Sequence, residues 1–136
     1  MSQHELIRTL NSCFKQMSLT ELESVAFGTN LERVINQTYL QLDKGYNELF
    51  PEISKNAGAV VVSCFIIGTT VYCLNLGDSR AIICRKGRAI DLSQDHKASL
   101  HSEINRVKLK GGFVMGGRVG GRLAITRAFG DHGLKI

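Results

Sequence analysis

The chain carries 136 residues, 43% of them apolar and 21% charged, with a formal net charge of +5. That balance excludes a disordered polyelectrolyte, and the length suffices for one domain that buries about two-thirds of its unfolded surface. No apolar run approaches the ~18–20 residues that cross a bilayer, and Met1 to Leu10 lacks the basic and apolar regions of a secretory signal, so an intracellular, cytoplasmic or nuclear protein with no membrane partner is expected.

Helical patterns come first. Ser2 with Glu5 forms a capping box ahead of a face made by Leu6, Leu10, Phe14 and Met17. The Ser18-Thr20-Glu21-Glu23 patch is a loop or a second helix start. Thr29 with Glu32 is another capping box, and it opens a long stripe of Leu31, Val34, Ile35, Tyr39, Leu42, Tyr46, Leu49 and Phe50. Pro51, the single proline, ends that helix.

The pattern then turns to strands. Ala59 to Ile67 is nearly continuous in apolar, β-branched residues and predicts a strand buried on both faces. Val71–Leu76, Arg80–Cys84 and Arg88–Leu92 follow through the turns Gly68-Thr69, Gly77-Asp78 and Lys86-Gly87, which makes them consecutive antiparallel neighbours. A two-residue turn at Gly68-Thr69 pairs Ile67 with Thr70 and sets Cys64 opposite Cys73. Neither they nor Cys13 and Cys84 form a Cys-x-x-Cys pair, and no His stands at zinc-ligand spacing, so a structural zinc site is not expected; in a reducing compartment Cys64 and Cys73 are expected to be small buried thiols and not a disulfide. Ser99 to Lys110 predicts a helix with Leu100, Ile104 and Val107 on one face and Gly111 at its C-terminal cap. Phe113–Met115 and Arg122–Thr126 predict short strands around Gly116-Gly117. The class is α+β, helices layered on antiparallel sheet, with a helical part over 1–50 and a β-rich part over 58–131.

The charge is uneven. Residues 1–80 hold six Lys/Arg and eight Asp/Glu, net −2, while residues 81–136 hold eleven and four, net +7. The basic half suits an anionic partner, or it awaits acidic partners on another chain. A nucleic-acid partner is not expected, because the basic residues lack interleaved aromatics and no binding motif accompanies them.

Gly77-Asp78-Ser79-Arg80 stands out within the strand region. A carboxylate in a tight glycine turn between two apolar strands is costly without a metal or a cation beside it. Asn75-Leu76-Gly77-Asp78-Ser79-Arg80-Ala81 resembles the Gly-Asp-Ser-Arg block of the type 2C metal-dependent protein phosphatases, the PPM family. Gln94-Asp95-His96-Lys97 resembles that family's Asp-His-Lys-Pro block, with Ala98 in place of proline. Glu103-x-x-Arg106-Val107-x-x-x-Gly111-Gly112-x-Val114 follows at the family spacing. The stretch from Arg118 to Asp131, including Thr126-Arg127-Ala128-Phe129-Gly130-Asp131, closes the match. Four blocks in order over about seventy residues make a specific signal. Residues 1–50 are similar to the family only in pattern.

The resemblance implies a β-sandwich flanked by helices, present here as an incomplete, central portion of the domain. It implies hydrolysis of phosphoserine and phosphothreonine in protein substrates with two Mg²⁺ or Mn²⁺ ions, since a metal pair supplies hydroxide and stabilises both attacking and leaving oxygens. The family's Asp-Gly-His-Gly block, whose carboxylate bridges the metals, has no counterpart, for the chain contains no Asp-Gly dipeptide. The later Asp-Gly, Trp-Asp and Asp-Asn blocks and the upstream phosphate-gripping basic residue have none either. The Gly-Ser-Thr-Ala block reads Asn56-Ala57-Gly58-Ala59. The chain is therefore expected to be inactive alone, as a fragment of the enzyme. The alternative is a non-catalytic, pseudophosphatase-like module that binds a regulatory protein partner through its basic half.

Of the family's metal-binding carboxylates only Asp78 has a match, at the outer site. The other reading of Asp78 is a turn aspartate that bonds its own backbone. Gly77 and Ser79 support the turn. Arg80 is a structural partner to a carboxylate or carbonyl. Asp95 and His96 are either an acid–base or metal pair or, preferably, a loop cap and a packed side chain. Arg127 and Asp131 are expected to pair and order the chain's end, with a site role for Asp131 kept open. Gly111, Gly112, Gly120 and Gly121 are turn residues at positive φ. His4, His101 and His132 face solvent. No catalytic residue can be named. An incomplete sandwich would also leave strand edges and apolar faces open to aggregation or to a second chain.

Overall fold

The computed structural model describes residues 26–135. The expected first helix with its Ser2–Glu5 cap, the patch at 18–23, His4 and Cys13 lie outside the described residues. The chain divides into two compact units between Pro51 and Glu52.

The first unit shows helix α1, Ala26–Leu49. It is already formed at Ala26, three residues before Thr29, so Thr29 and Glu32 lie inside the helix and do not cap it. The apolar period in the sequence explains this, since Phe27 stands one turn ahead of Leu31 and carries the pattern upstream. Leu31, Ile35 and Thr38 are buried at spacings of four and three, one face of a 3.6-residue period. Thr38 fits this apolar stripe because its hydroxyl donates to the Val34 carbonyl at 2.8 Å. The expected stripe is not covered to its end: Leu49 and Phe50 are exposed. Phe50 instead stacks at a tilt on Tyr46, with ring centroids 5.9 Å apart. Pro51 stops α1 and opens a single turn, α2, Pro51–Ser54, where a residue without an N–H costs nothing.

The second unit contains eight short strands: β1 (Gly58–Ala59), β2 (Val61–Ile67), β3 (Thr70–Leu76), β4 (Ile82–Arg85), β5 (Arg88–Asp91), β6 (Val114–Met115), β7 (Arg118–Val119) and β8 (Phe129–Gly130). Helix α3, His101–Leu109, lies between β5 and β6. All pairings are antiparallel, and the strands form four two-stranded sheets, β1–β8, β2–β3, β4–β5 and β6–β7. The class is α+β. Ile67 pairs with Thr70 and Cys64 with Cys73, the register expected from the two-residue turn. Lys86 and Gly87, at φ 52° and 74°, make the tight turn of β4–β5.

Several expectations need correction. Strand β2 is not buried on both faces: Ile66 is 77% exposed, because β3 is its only ladder partner among the described residues and the pair is a ribbon. Cys64 is an exposed thiol for the same reason, and Cys73 is only partly covered. Strands β3 and β4 are chain neighbours but not ladder neighbours. Gly77, at φ 109°, turns the chain away, and the amide of Leu92 bonds the Ala81 carbonyl at 2.9 Å so that the next ladder forms with β5. Arg122–Thr126 is not a strand. It makes only isolated bridges, Leu123 to Val119 and Ile125 to Lys97, because Gly120 and Gly121 at φ 57° and 71° fold the chain sharply back. The strand paired across Gly116-Gly117 is Arg118–Val119.

Helix α3 ends as its glycine predicts. Gly111 has φ 84° and donates to Lys108, while Gly112 donates to Val107, a Schellman close that satisfies two of the helix's last carbonyls. Gly112 itself does not adopt positive φ, so only three of the four expected glycines do. Ala98, Val107 and Val119 form the buried core here, with Val114 and Leu123 packed against it. His132 is half-buried and not solvent-facing, while His101 is exposed.

Gly77 and Gly87 separate conformational cost from steric cost. Both have positive φ, but a Cβ on Gly87 meets nothing within 4 Å, whereas one on Gly77 collides with Val60 Cγ1 and with its Cβ at 2.5 Å. No rotation of χ1 moves a Cβ. Gly87→Ala should cost about 1–2 kcal/mol, the left-handed penalty alone, and Gly77→Ala about 3 kcal/mol or more. Urea denaturation followed by circular dichroism measures both; equal costs would refute the packing argument.

Candidate functional site

The Gly77-Asp78-Ser79-Arg80 turn leaves β3 and is gripped on both sides of its first peptide. The Gly77 amide donates to His96 Nδ1 at 3.1 Å. The Gly77 carbonyl accepts from the His96 amide at 2.8 Å and from Asn75 Nδ2 at 3.1 Å. Asn75 Nδ2 also donates to the Gln94 carbonyl at 2.8 Å, tying the same loop to the strand end. Residues 75–77 and 94–96 are thus bonded by side chain and backbone together. Gly77 is buried; Asp78 is exposed and Ser79 half-buried.

Because Nδ1 of His96 accepts a hydrogen bond from the Gly77 amide, the imidazole is neutral and carries its own proton on Nε2. Burial, and then the Arg127 charge, hold its pKa below the ordinary histidine value. His96 therefore holds the turn. Asp95 does not pair with it and does not cap a helix. The buried Asp95 carboxylate accepts from Arg80 Nε at 2.9 Å and from Lys97 Nζ at 2.8 Å. Arg80 also reaches Asp91 Oδ2 at 3.3 Å. These contacts, Arg80 first, hold the Asp95 carboxyl well below the usual carboxylate range. Arg80 is the structural cation expected, and with Ser93, Lys97 and Leu100 it lines an open hollow of about 540 Å³.

Arg127 does not pair with Asp131. Its guanidinium takes Glu103 of α3, with Nε 3.0 Å from Oε2 and Nη2 on Oε1. Arg106 binds the same carboxylate, Nη2 to Oε2 at 2.9 Å, and extends to the Thr126 carbonyl at 2.9 Å. The Thr126 hydroxyl donates to Glu103, while the Thr126 amide donates to the His96 carbonyl at 2.9 Å. Glu103, 4% exposed, is the residue that motif reading left without a role. Its signal was present: it lies four residues before buried Val107, on the inward face of α3, with Arg106 at i+3. A carboxylate there needs cations, and Arg127 chiefly, then Arg106, keep its pKa far below the ordinary value.

Asp131 has a different place. It adopts φ 51°, and its amide donates to the Ala57 carbonyl at 3.0 Å. Its side chain lies over Gly58, where a Cβ would come within 2.6 Å of Asp131 Cγ and 2.7 Å of the Phe129 carbonyl oxygen. Gly58 is thus required by the close passage of β8.

The fit to a metal pair can be tested on the donors. Among the described residues, no three His, Cys, Asp or Glu side chains come together. Asp78 is exposed, with no protein partner among the described residues, so the alternative of a self-bonded turn aspartate is not what the structure shows. One carboxylate does not satisfy a hard cation that seeks about six oxygens. The described residues offer a single ligand and do not by themselves fit a two-ion centre.

Comparison with known proteins agrees with the geometry. The family model for protein phosphatase 2C matches residues 1–136, including the first fifty, where the motifs carried only a pattern. A rice protein described as probable protein phosphatase 2C 52 is 38% identical over 112 residues, covering 80% of this chain and 23% of its own length. Probable protein phosphatase 2C 59 of Arabidopsis thaliana is 39% identical, covering 80% of this chain and 36% of the relative. Probable protein phosphatase 2C 11 of the same plant is 40% identical, covering 80% and 30%. The chain spans about a quarter to a third of the length of these relatives.

Two measurements probe the hub. Glu103→Gln leaves two guanidiniums without their anion and should cost about 2–3 kcal/mol, less than a fully buried pair because both arginines are partly exposed; wild-type stability in urea would refute the assignment. The pH profile separates His96 from the carboxylates. A histidine whose folded pKa is depressed is stabilising above its unfolded value of about 6.5 and loses that contribution as pH falls below it. Asp95 and Glu103, also depressed, are stabilising above about pH 4 and lose theirs below it. The melting temperature should therefore drop first as pH falls below about 6.5, then again below about 4. His96→Asn, which keeps an acceptor for the Gly77 amide, should abolish the first drop only.

Proposed function

Because the chain belongs to the protein phosphatase 2C family, we propose that it is a central segment of a metal-dependent phosphatase acting on phosphoserine and phosphothreonine in proteins. In this reading the segment contributes one carboxylate, Asp78, to the outer part of a Mg²⁺ or Mn²⁺ site whose bridging ligands come from sequence this chain does not contain. The single observation that carries the reading is the state of Asp78. It is exposed, unengaged by protein among the described residues, and follows Gly77, whose N–H and C=O are both held by His96. A turn built this rigidly to present a bare carboxylate suits a cation ligand better than a structural aspartate.

The same reading accounts for the separate small sheets. In a complete domain the β2–β3 and β4–β5 ribbons would join the layers of a β-sandwich, which would cover Ile66, Val71, Ile82 and Ile90, all exposed here. The chain alone lacks the ligands for a two-ion centre and is proposed to be inactive by itself.

Two assays address the two halves of the proposal. The purified 136-residue chain should not turn over p-nitrophenyl phosphate or a phosphothreonine peptide with Mn²⁺. Turnover abolished by Asp78→Asn would overturn its inactivity. For the segment's role, residues 58–131 would replace the matching stretch of one of the Arabidopsis relatives. The chimera should retain phosphatase activity, and Asp78→Asn should raise the Mn²⁺ concentration needed for half-maximal rate by about tenfold, a loss of roughly 1.4 kcal/mol in binding. A folded chimera indifferent to that substitution would remove Asp78 from the site.

A further inference from the structure

We propose that Cys64 and Cys73 form an oxidisable dithiol on the β2–β3 ribbon, a modification site that takes small-molecule disulfides and closes reversibly into a cross-strand disulfide. The pairing is set by the ladder, in which Cys64 stands directly opposite Cys73. Ile67 and Thr70 flank the two-residue turn and so form a hydrogen-bonded pair. The pair type alternates along an antiparallel ladder, which makes Phe65–Tyr72 hydrogen-bonded and Cys64–Cys73 non-hydrogen-bonded. Opposed residues of the latter type have Cα atoms about 4.5 Å apart with side chains on one face, inside the ~4.4–6.8 Å range that a disulfide spans. The ribbon needs no rearrangement to close the bond.

The two thiols differ in a way that assigns their roles. Both are free, Cys64 exposed and Cys73 partly covered. Burial, with the neighbouring Cys64 thiol, raises the Cys73 pKa, which disfavours its thiolate. Cys64, the exposed thiol of the pair, is the attacking group. Its thiolate displaces one thiolate from a low-molecular-weight disulfide such as oxidised glutathione, forming a mixed disulfide. The Cys73 thiol then loses its proton and attacks the Cys64 sulfur, expelling the second glutathione thiolate. Two protein thiols are oxidised, one external disulfide is reduced to two thiols, and no other reactant is needed. The cross-link would lock the ribbon that ends at Leu76, one residue before the Gly77-Asp78 turn.

Equilibration of the whole chain with glutathione disulfide tests the proposal. Cys64 and Cys73 should both lose their thiols with no glutathione retained on either, whatever forms on the exposed Cys84. Chymotrypsin, which cuts after Phe65 and Tyr72, should release peptides joined through Cys64 and Cys73. In a Cys13→Ser/Cys84→Ser background, the equilibrium constant against glutathione should be at least about tenfold larger in buffer than in 8 M urea, because the ladder and not mere proximity in sequence holds the sulfurs together. Glutathione remaining on Cys64, a cross-link to Cys13 or Cys84, or equal constants in buffer and urea would each overturn it.

Discussion

The Glu103 carboxylate brings a full negative charge to a position 4% exposed, and the second unit is arranged around keeping it there. Desolvating a carboxylate costs several kcal/mol, offset only when cations and hydrogen bonds take up its lone pairs. Arg127 and Arg106 supply the cations, and Thr126 supplies a hydroxyl. Arg106 and Thr126 also have second attachments. Arg106 binds the Thr126 carbonyl, the Thr126 amide binds the His96 carbonyl, and the His96 ring and amide take both polar groups of Gly77. The chain of bonds runs from α3 to the turn that presents Asp78. It is made by one residue or more from each of the four sequence blocks.

This explains why those blocks were legible as blocks and opaque as roles. The two-residue turns and the ladder registers are local and followed from sequence. Gly68-Thr69 sets Cys64 against Cys73, and Gly111 closes α3, because backbone conformation at one or two residues decides both. The partner of Arg127 was not local. Asp131 is near in sequence and of the right charge, but the actual acceptor lies 24 positions away on a helix. Likewise, Asp95 read as a loop cap, since capping is the common fate of an aspartate ahead of a helix. It is taken by Arg80, fifteen positions back. Long-range ion pairs carry no periodic signal, so only the inward phase of Glu103 could have pointed to one.

The basic excess of the second half also changes meaning once pairs are known. Asp95 and Glu103 each hold two cations, and three of these, Lys97, Arg106 and Arg127, belong to the basic half. Arg85, Lys86 and Arg88 remain on the exposed β4–β5 ribbon, beside Ile82 and Ile90. A ribbon whose inner positions are apolar and exposed is not a finished surface, because a monomer seldom leaves contiguous apolar patches bare. The segment reading supplies a cover for that face in the remaining layers of a sandwich, whereas a free-standing binding module supplies none.

Asp78 can be weighed against the other carboxylates on the same physical terms. Asp95 and Glu103 have their charges answered by protein cations, which fixes structure and removes them from further chemistry. Asp78 has its backbone fixed and its charge left open. A fold that commits an Asn side chain, a histidine tautomer and a sterically irreplaceable glycine to one peptide thereby positions the aspartate next to it. Positioning of an unanswered carboxylate has a use only if its counter-charge comes from outside the described residues. A divalent ion meets that requirement at a single atom, and it brings the remaining ligands as a geometric demand. On the proposed function the turn would be one fixed corner of a site, its rigidity letting the other corners come from outside the described residues.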